Sequence, residues 1–139
     1  MNNTPIKRDS YARDCARRDG ESMRTTPQRL YERLLRRVYV PLSLVVLVDD
    51  AGTLRALCQF DTAFSEPDVE DMMREAGACG GDMQAGTVWL ITHHPEGRTT
   101  LDREDRHNLR RLLQETRGMR VCAFVSGEET GCVKVWEGP

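Results

Sequence analysis

Apolar positions along the chain fall into blocks, some at the three-to-four spacing of a helix and some unbroken in the manner of a buried strand. Leu30, Leu34, Leu35 and Val38 recur at helical spacing behind Thr26 as a cap and Pro27 in the first turn. They predict a helix to about Tyr39, stopped by Pro41. Leu42 to Val48 is a continuous aliphatic run rich in β-branched residues, the pattern of a central strand covered on both faces. Asp49-Asp50-Ala51-Gly52 has turn chemistry, so Thr53 to Phe60 is expected to return as its hairpin partner.

The second half repeats the alternation. Ser65, Pro67 and Asp68 open a helix whose apolar face is Val69, Met72, Met73 and Ala76. The glycine-rich stretch Ala78 to Gly86 then reads as a loop. Val88 to Ile91 is a second apolar strand, and after Pro95-Glu96-Gly97 a helix is expected to start near Thr100, capped by Thr99 or Thr100. Leu101, Leu109, Leu112 and Leu113 share one stripe of that helix. Gly118 ends it; Met119 to Val125 and Cys132 to Trp136 are the last two strands, joined by Glu128-Glu129-Thr130-Gly131. The resulting order, α-β-β-α-β-α-β-β, predicts a single α/β domain with a mixed sheet flanked by helices.

Met1 to Thr26 lies outside this pattern. It is polar, mixed in charge and nearly free of aliphatic residues, so it cannot bury enough surface to offset its ordering entropy. A disordered tail is expected there, with the folded domain running from Pro27 to Pro139.

Composition narrows the function classes. A chain of 139 residues has the length of one domain, and its formal charge of −2 gives no global pull toward nucleic acid or an anionic membrane. No apolar run has membrane-spanning length, and no secretory signal opens the chain. Five cysteines, with no Cys-x-x-Cys pair, point to free thiols in a reducing cytoplasm and exclude a structural zinc site of that type. Arg103, Arg106 and Arg110 line the outer side of the last helix, and the first helix carries Arg29, Arg33, Arg36 and Arg37. Together these could form a basic patch for nucleic acid or an acidic protein, but the near-zero net charge favours a solvated surface balanced by Asp and Glu.

The candidate chemistry lies between Thr92 and Asp105. A strand delivers His93 and His94 to its carboxyl end, the edge where α/β sheets carry their sites. On the following helix Asp105 falls inside the apolar stripe, where a carboxylate is costly without a metal, a histidine or backbone N–H groups. His94 is the expected partner. Asp102 and Glu104 are read as first-turn acids that complement the helix dipole. Strand alternation points Thr92 and His94 to one face and His93 to the other. His107 falls on the arginine side and reads as a solvated histidine.

At these residues the chain resembles the JAB/JAMM metallopeptidase superfamily, and most closely its RadC-like branch. The family signature is His-x-His-Pro-x-Gly followed by a Ser and an Asp on the next helix; His94, Pro95, Gly97 and Asp105 stand at matching positions. Thr92 occupies the place of the first histidine and Asp102 that of the serine, while Val40-Pro41-Leu42 stands where the family carries a glutamate base. The resemblance spans roughly Leu30 to Trp136. It implies a zinc site built from His94 and Asp105, with Thr92 as a degenerate third position, His93 as a substitute if the strand end kinks, and Asp102 at the catalytic serine position. Lacking a full ligand set and a base, the domain is expected to bind zinc weakly or not at all. On this reading it has lost hydrolysis and serves as a binding or scaffold module for a protein or peptide. The alternative is an active zinc-dependent peptidase or isopeptidase with a rearranged ligand set. A cytidine-deaminase-like fold shares the element order, but its His-x-Glu and Cys-x-x-Cys zinc ligands are absent.

Overall fold

The computed structural model describes residues 24–49, 51–60, 86–116 and 119–138. The helix expected around Val69 to Ala76, the loop through Gly86 except Gly86 itself, the stop at Gly118, and all of the tail before Arg24 lie outside these residues. What is described is a mixed α/β domain: a five-stranded sheet in the order β2-β1-β3-β4-β5, with a helix on each face.

The first helix, α1, begins at Pro27–Leu30 and continues as a widened turn over Tyr31–Leu35. Thr26 caps it, its hydroxyl accepting the Arg29 N–H at 3.2 Å, and Pro27 occupies the first turn, where a missing N–H costs nothing. The wide turn is closed by the Arg36 N–H on the Tyr31 carbonyl, one residue beyond ordinary α spacing. It brings Tyr31 to the buried side beside Leu30 and Leu35, while Leu34 and Val38, expected on the same apolar face, are only partly buried at its margin.

Strand β1, Leu42–Val48, is buried along its whole length. It pairs antiparallel with β2, Leu54–Phe60, and with β3, Thr87–His93. The unbroken apolar runs thus belong to adjacent interior strands, as their composition requires, although Trp89 is only partly buried. The β1–β2 turn is organised by Asp49. Its Oδ1 accepts the N–H groups of Ala51 and Thr53, both at 3.0 Å, its Oδ2 accepts from the Arg55 guanidinium at 3.1 Å, and Gly52 takes the left-handed conformation at φ +82°. Burial works against ionisation of Asp49, but these donors outweigh it and hold the carboxyl below its ordinary range. Arg24 to Thr26 dock against this corner, with the Thr25 N–H on the Gly52 carbonyl at 3.2 Å and a bridge from Arg24 to Thr53.

From β3 the chain crosses through α2, Arg103–Glu115, to β4, Arg120–Gly127, which lies parallel to β3. A hairpin then returns as β5, Gly131–Gly138, longer at both ends than the expected Cys132 to Trp136. Alternation along the strands separates two cores. Val45, Leu47, Val88, Leu90, Val121 and Ala123 face Leu109 and Leu112 of α2. Leu44, Val46, Ile91 and Phe124 face Leu30, Tyr31 and Leu35 of α1. The arginines of α1 and those of α2 are therefore on opposite faces and do not merge into one patch. No helix among the described residues is long and apolar enough to cross a membrane.

Candidate functional site

The site forms where β3 ends. The last paired residue, His93, lies opposite Leu42 of β1 and Ser126 of β4, so the entry to β1, the end of β4 and the β4–β5 turn all meet at this edge. His94 follows, its N–H on the Ser126 carbonyl at 2.8 Å. A tight turn comes next: the Gly97 N–H closes on the His94 carbonyl at 2.8 Å, with Pro95 directly after the acceptor and Gly97 left-handed at φ +86°. The turn packs on Gly127 so closely that a Cβ there would lie 2.6 Å from the Gly97 Cα and 2.7 Å from the His94 carbonyl oxygen. Glycine at 127 is what allows the motif loop to rest on the end of β4.

The loop then delivers the start of α2 back to β3. The helix cap is Asp102, two to three residues later than the threonines expected from the sequence. An aspartate wins this position because Asp102 and Asp105 satisfy each other's ends of the first turn. Asp102 Oδ1 accepts the Asp105 N–H at 2.8 Å, and Asp105 Oδ2 accepts the Asp102 N–H at 3.1 Å. Asp105 Oδ2 also receives the Nε2–H of His94 at 2.7 Å, both side chains being buried. The carboxylate inside the apolar stripe is thus paid for by one imidazole and one backbone amide. The second carboxylate oxygen of Asp102 stands 3.8 Å from His94 Nε2 and 3.9 Å from the Arg98 guanidinium, and its side chain is 31 % exposed. Burial raises the Asp102 pKa, but the Asp105 amide, His94 and Arg98 together hold its carboxyl below the usual range.

The other two residues of the motif are committed elsewhere. Thr92 is buried and its hydroxyl donates to the Phe124 carbonyl at 3.3 Å. His93 points to the α1 side, where its Nε2–H donates to the Val38 carbonyl at 2.8 Å and its Nδ1 accepts the Ser126 hydroxyl at 2.9 Å. The carbonyl can only accept, which fixes the neutral tautomer. Burial, followed by the nearby His94, lowers the pKa of His93 against the opposing pull of the Val38 carbonyl. Strand alternation therefore keeps His93 from substituting for a ligand beside His94. Ser126 touches His93 but is wholly buried, so the contact ties β3 to β4 and presents no nucleophile.

His94, Asp102 and Asp105 remain as the group that could hold a cation, their ligand atoms all lying within 4.8 Å of one another. A tetrahedral zinc would require this cluster to open. Two ligands on a tetrahedral zinc lie about 3.3 Å apart, given bonds of about 2.0–2.1 Å. The His94–Asp105 contact is shorter, and Arg98 already faces the third group.

Two features here escaped the sequence. Asn108, one helical turn beyond Asp105 on the inward stripe, is buried, and its Oδ1 has no hydrogen-bond partner; helical spacing from Asp105 was the signal. Ser126 and the Val38 carbonyl as partners of His93 left no signal, because both arrive from distant elements. His107, Arg103, Arg106 and Arg110 are exposed, in keeping with a solvated outer surface for α2. A separate groove of about 340 Å³ lies between α1 and the β4–β5 turn, lined in part by Gln28, Glu32, Arg36, Glu128 and Glu129; no residue of the motif lines it. Compared with family models, curated proteins and solved structures, the chain matches none of them.

Proposed function

We propose that this chain is a RadC/JAB-like domain that no longer hydrolyses peptide bonds and acts as a binding or scaffold module for a protein or peptide, in the cytoplasm. The observation that carries the proposal is the state of Thr92 and His93. The first holds a carbonyl within the sheet and the second is locked on the opposite face, so neither can supply the ligand that the family takes from its first histidine. Catalytic zinc needs three protein ligands and an open position. The entry to β1, Val40-Pro41-Leu42, also supplies no carboxylate to serve as base.

Further support comes from the element order. The described elements run α-β-β-β-α-β-β, which is compatible with the order expected for such a domain, and the helix expected around Val69 to Ala76 lies outside the described residues. Support for a binding role comes from Tyr39 and Val40, which are 74 % and 61 % exposed and immediately precede β1, at the same edge as His94. Large apolar side chains exposed together beside a degenerate site suit recognition better than catalysis.

A second reading, an active metallopeptidase with a rearranged ligand set, draws on Asp102, which could replace Thr92 as third ligand. Incubation of the purified chain with peptide and isopeptide substrates in added zinc separates the two. No turnover is expected. Turnover that disappears in Asp102→Ala would install the second reading. Selection from a displayed peptide library is expected to enrich sequences whose binding is lost in Tyr39→Ser; a library that yields no such sequence counts against the binding role.

A further inference from the structure

We infer that the His94–Asp105 pair ties the end of β3 to the start of α2 by itself, without any ion. This rests on the reading of the chain as a RadC/JAB-like domain, but concerns what the retained half of the motif now does. Three observations converge on it.

The first is that the pair's facing polar atoms are satisfied by protein. Asp105 Oδ2 has two donors, the imidazole and the Asp102 amide, and Asp102 Oδ1 has the Asp105 amide. For His94 to bind a cation through Nε2 it must give up the proton it donates and its contact with Asp105 must widen by roughly half an ångström, from the tetrahedral geometry of zinc. The second is charge. Arg98 and the amino end of α2 already place positive potential at the carboxylates, which disfavours a further cation there. The third is anchorage. The His94 backbone is held from behind by its N–H on Ser126, and its carbonyl by the Gly97 turn resting on Gly127. A side chain fixed at its backbone and buried at its tip is suited to bear a tie between two elements. Asp105 meets the same requirement, since the reciprocal cap fixes its rotamer.

The presence of Thr92 where the family has a histidine, beside His94 and Asp105 at their matching positions, then has one cause. A metal needs a third strong ligand, whereas a hydrogen-bonded tie needs only one donor and one acceptor. Thr92 is free to serve the β3–β4 pairing instead.

Ring-nitrogen NMR of the unmodified chain tests this directly, after chelator treatment and again with one equivalent of zinc. His94 is expected to keep a slowly exchanging proton on Nε2 in both, as its contact with the Asp105 carboxylate requires. The melting temperature is expected not to change between the two states. A double-mutant cycle with His94→Gln and Asp105→Asn is expected to show coupling of about tenfold or more in the unfolding equilibrium constant. Loss of the Nε2 proton with a raised melting temperature on adding zinc would overturn the inference, as would a coupling near onefold. Should the variants fail to fold, the tautomer and zinc measurements on the unmodified chain still decide. Peptide turnover plays no part in these readouts, so the tie can fail while the non-hydrolytic reading stands, and the reverse.

Discussion

Replacing Gly127 by alanine adds one methyl group to a place where the motif turn and the end of β4 already touch. The added carbon would lie 2.6 Å from the Gly97 Cα, 2.7 Å from the His94 carbonyl oxygen and 3.0 Å from the Gly97 nitrogen. Carbon atoms in contact prefer about 3.5–4.0 Å, so the turn must move by roughly 1 Å. All three obstructing atoms are backbone, and none can swing away as a side-chain tip would. The displaced segment carries two hydrogen bonds, His94 N–H to Ser126 and Gly97 N–H to His94, and so cannot yield at one point alone. Overpacking of this kind costs about 1–3 kcal/mol. For a domain of this size that corresponds to a fall in melting temperature of roughly 3–12 °C. Urea unfolding of Gly127→Ala beside Gly52→Ala provides the assay, because Gly52 has positive φ but no atom within 4 Å of its added carbon, and so reports backbone strain alone. The Gly127 variant should also disturb the His94 ring-proton signal, which the Gly52 variant should leave in place. A loss within about 0.5 kcal/mol of zero, the ordinary range for surface changes, would refute the packing argument.

Thr92→His should raise zinc affinity by about tenfold to a hundredfold or more, at the expense of the hydrogen bond to Phe124, and should not confer peptide hydrolysis; turnover in this variant would show that a base exists which the geometry does not reveal. Asp49→Asn should cost on the order of 1–2 kcal/mol at neutral pH, because its carboxylate accepts two amides and a guanidinium at a partly exposed turn. The folded pKa of Asp49 is depressed, so this stabilisation is present above the unfolded value of about 4 and is lost as pH falls through the folded value. Parent and variant should therefore converge in stability in acid, and a gap unchanged between pH 7 and pH 2 would contradict the assignment. The Cys132 thiol, pushed up to about 12 by burial, should react slowly with thiol reagents near pH 8 until the chain unfolds, and rapid labelling of the folded protein would show that the β5 edge opens.

How much of this was readable beforehand depended on how local the cause was. β1 and β3 declared themselves because a run of aliphatic residues has only one comfortable place, the middle of a covered sheet. The approach of His94 to Asp105 was also legible, since a carboxylate on the inward stripe of a helix demands a donor and the short loop allowed only one nearby imidazole. The cap was not. Thr99, Thr100 and Asp102 are all competent N-caps, and Thr99 like Asp102 has an acid three residues on; the helix starts at Asp102, where Asp105 returns the hydrogen bond and is also held by His94. The wide turn in α1 was hidden for a different reason. Its effect is to bury Tyr31, whose hydroxyl donates to the Gly127 carbonyl at 2.8 Å, a partner ninety-six residues away. His93 likewise found its partners in Val38 and Ser126, at distances along the chain that no local pattern encodes.

The strand order has a consequence for how the fold assembles. β1 with β2 and β4 with β5 are hairpins closed by short turns, whereas β3 takes both its neighbours from other units. Closing a short loop is entropically cheap, so each hairpin can form by itself early, and joining them across β3 requires the longer closures. The parallel β3–β4 pairing forms only once α2 has crossed over the sheet, and that crossing is what brings Asp105 to His94. The motif edge would then be among the last parts to assemble and the first to open. Amide exchange should follow the same hierarchy, slowest in the middle of β1 and β3 and markedly faster over residues 94–102.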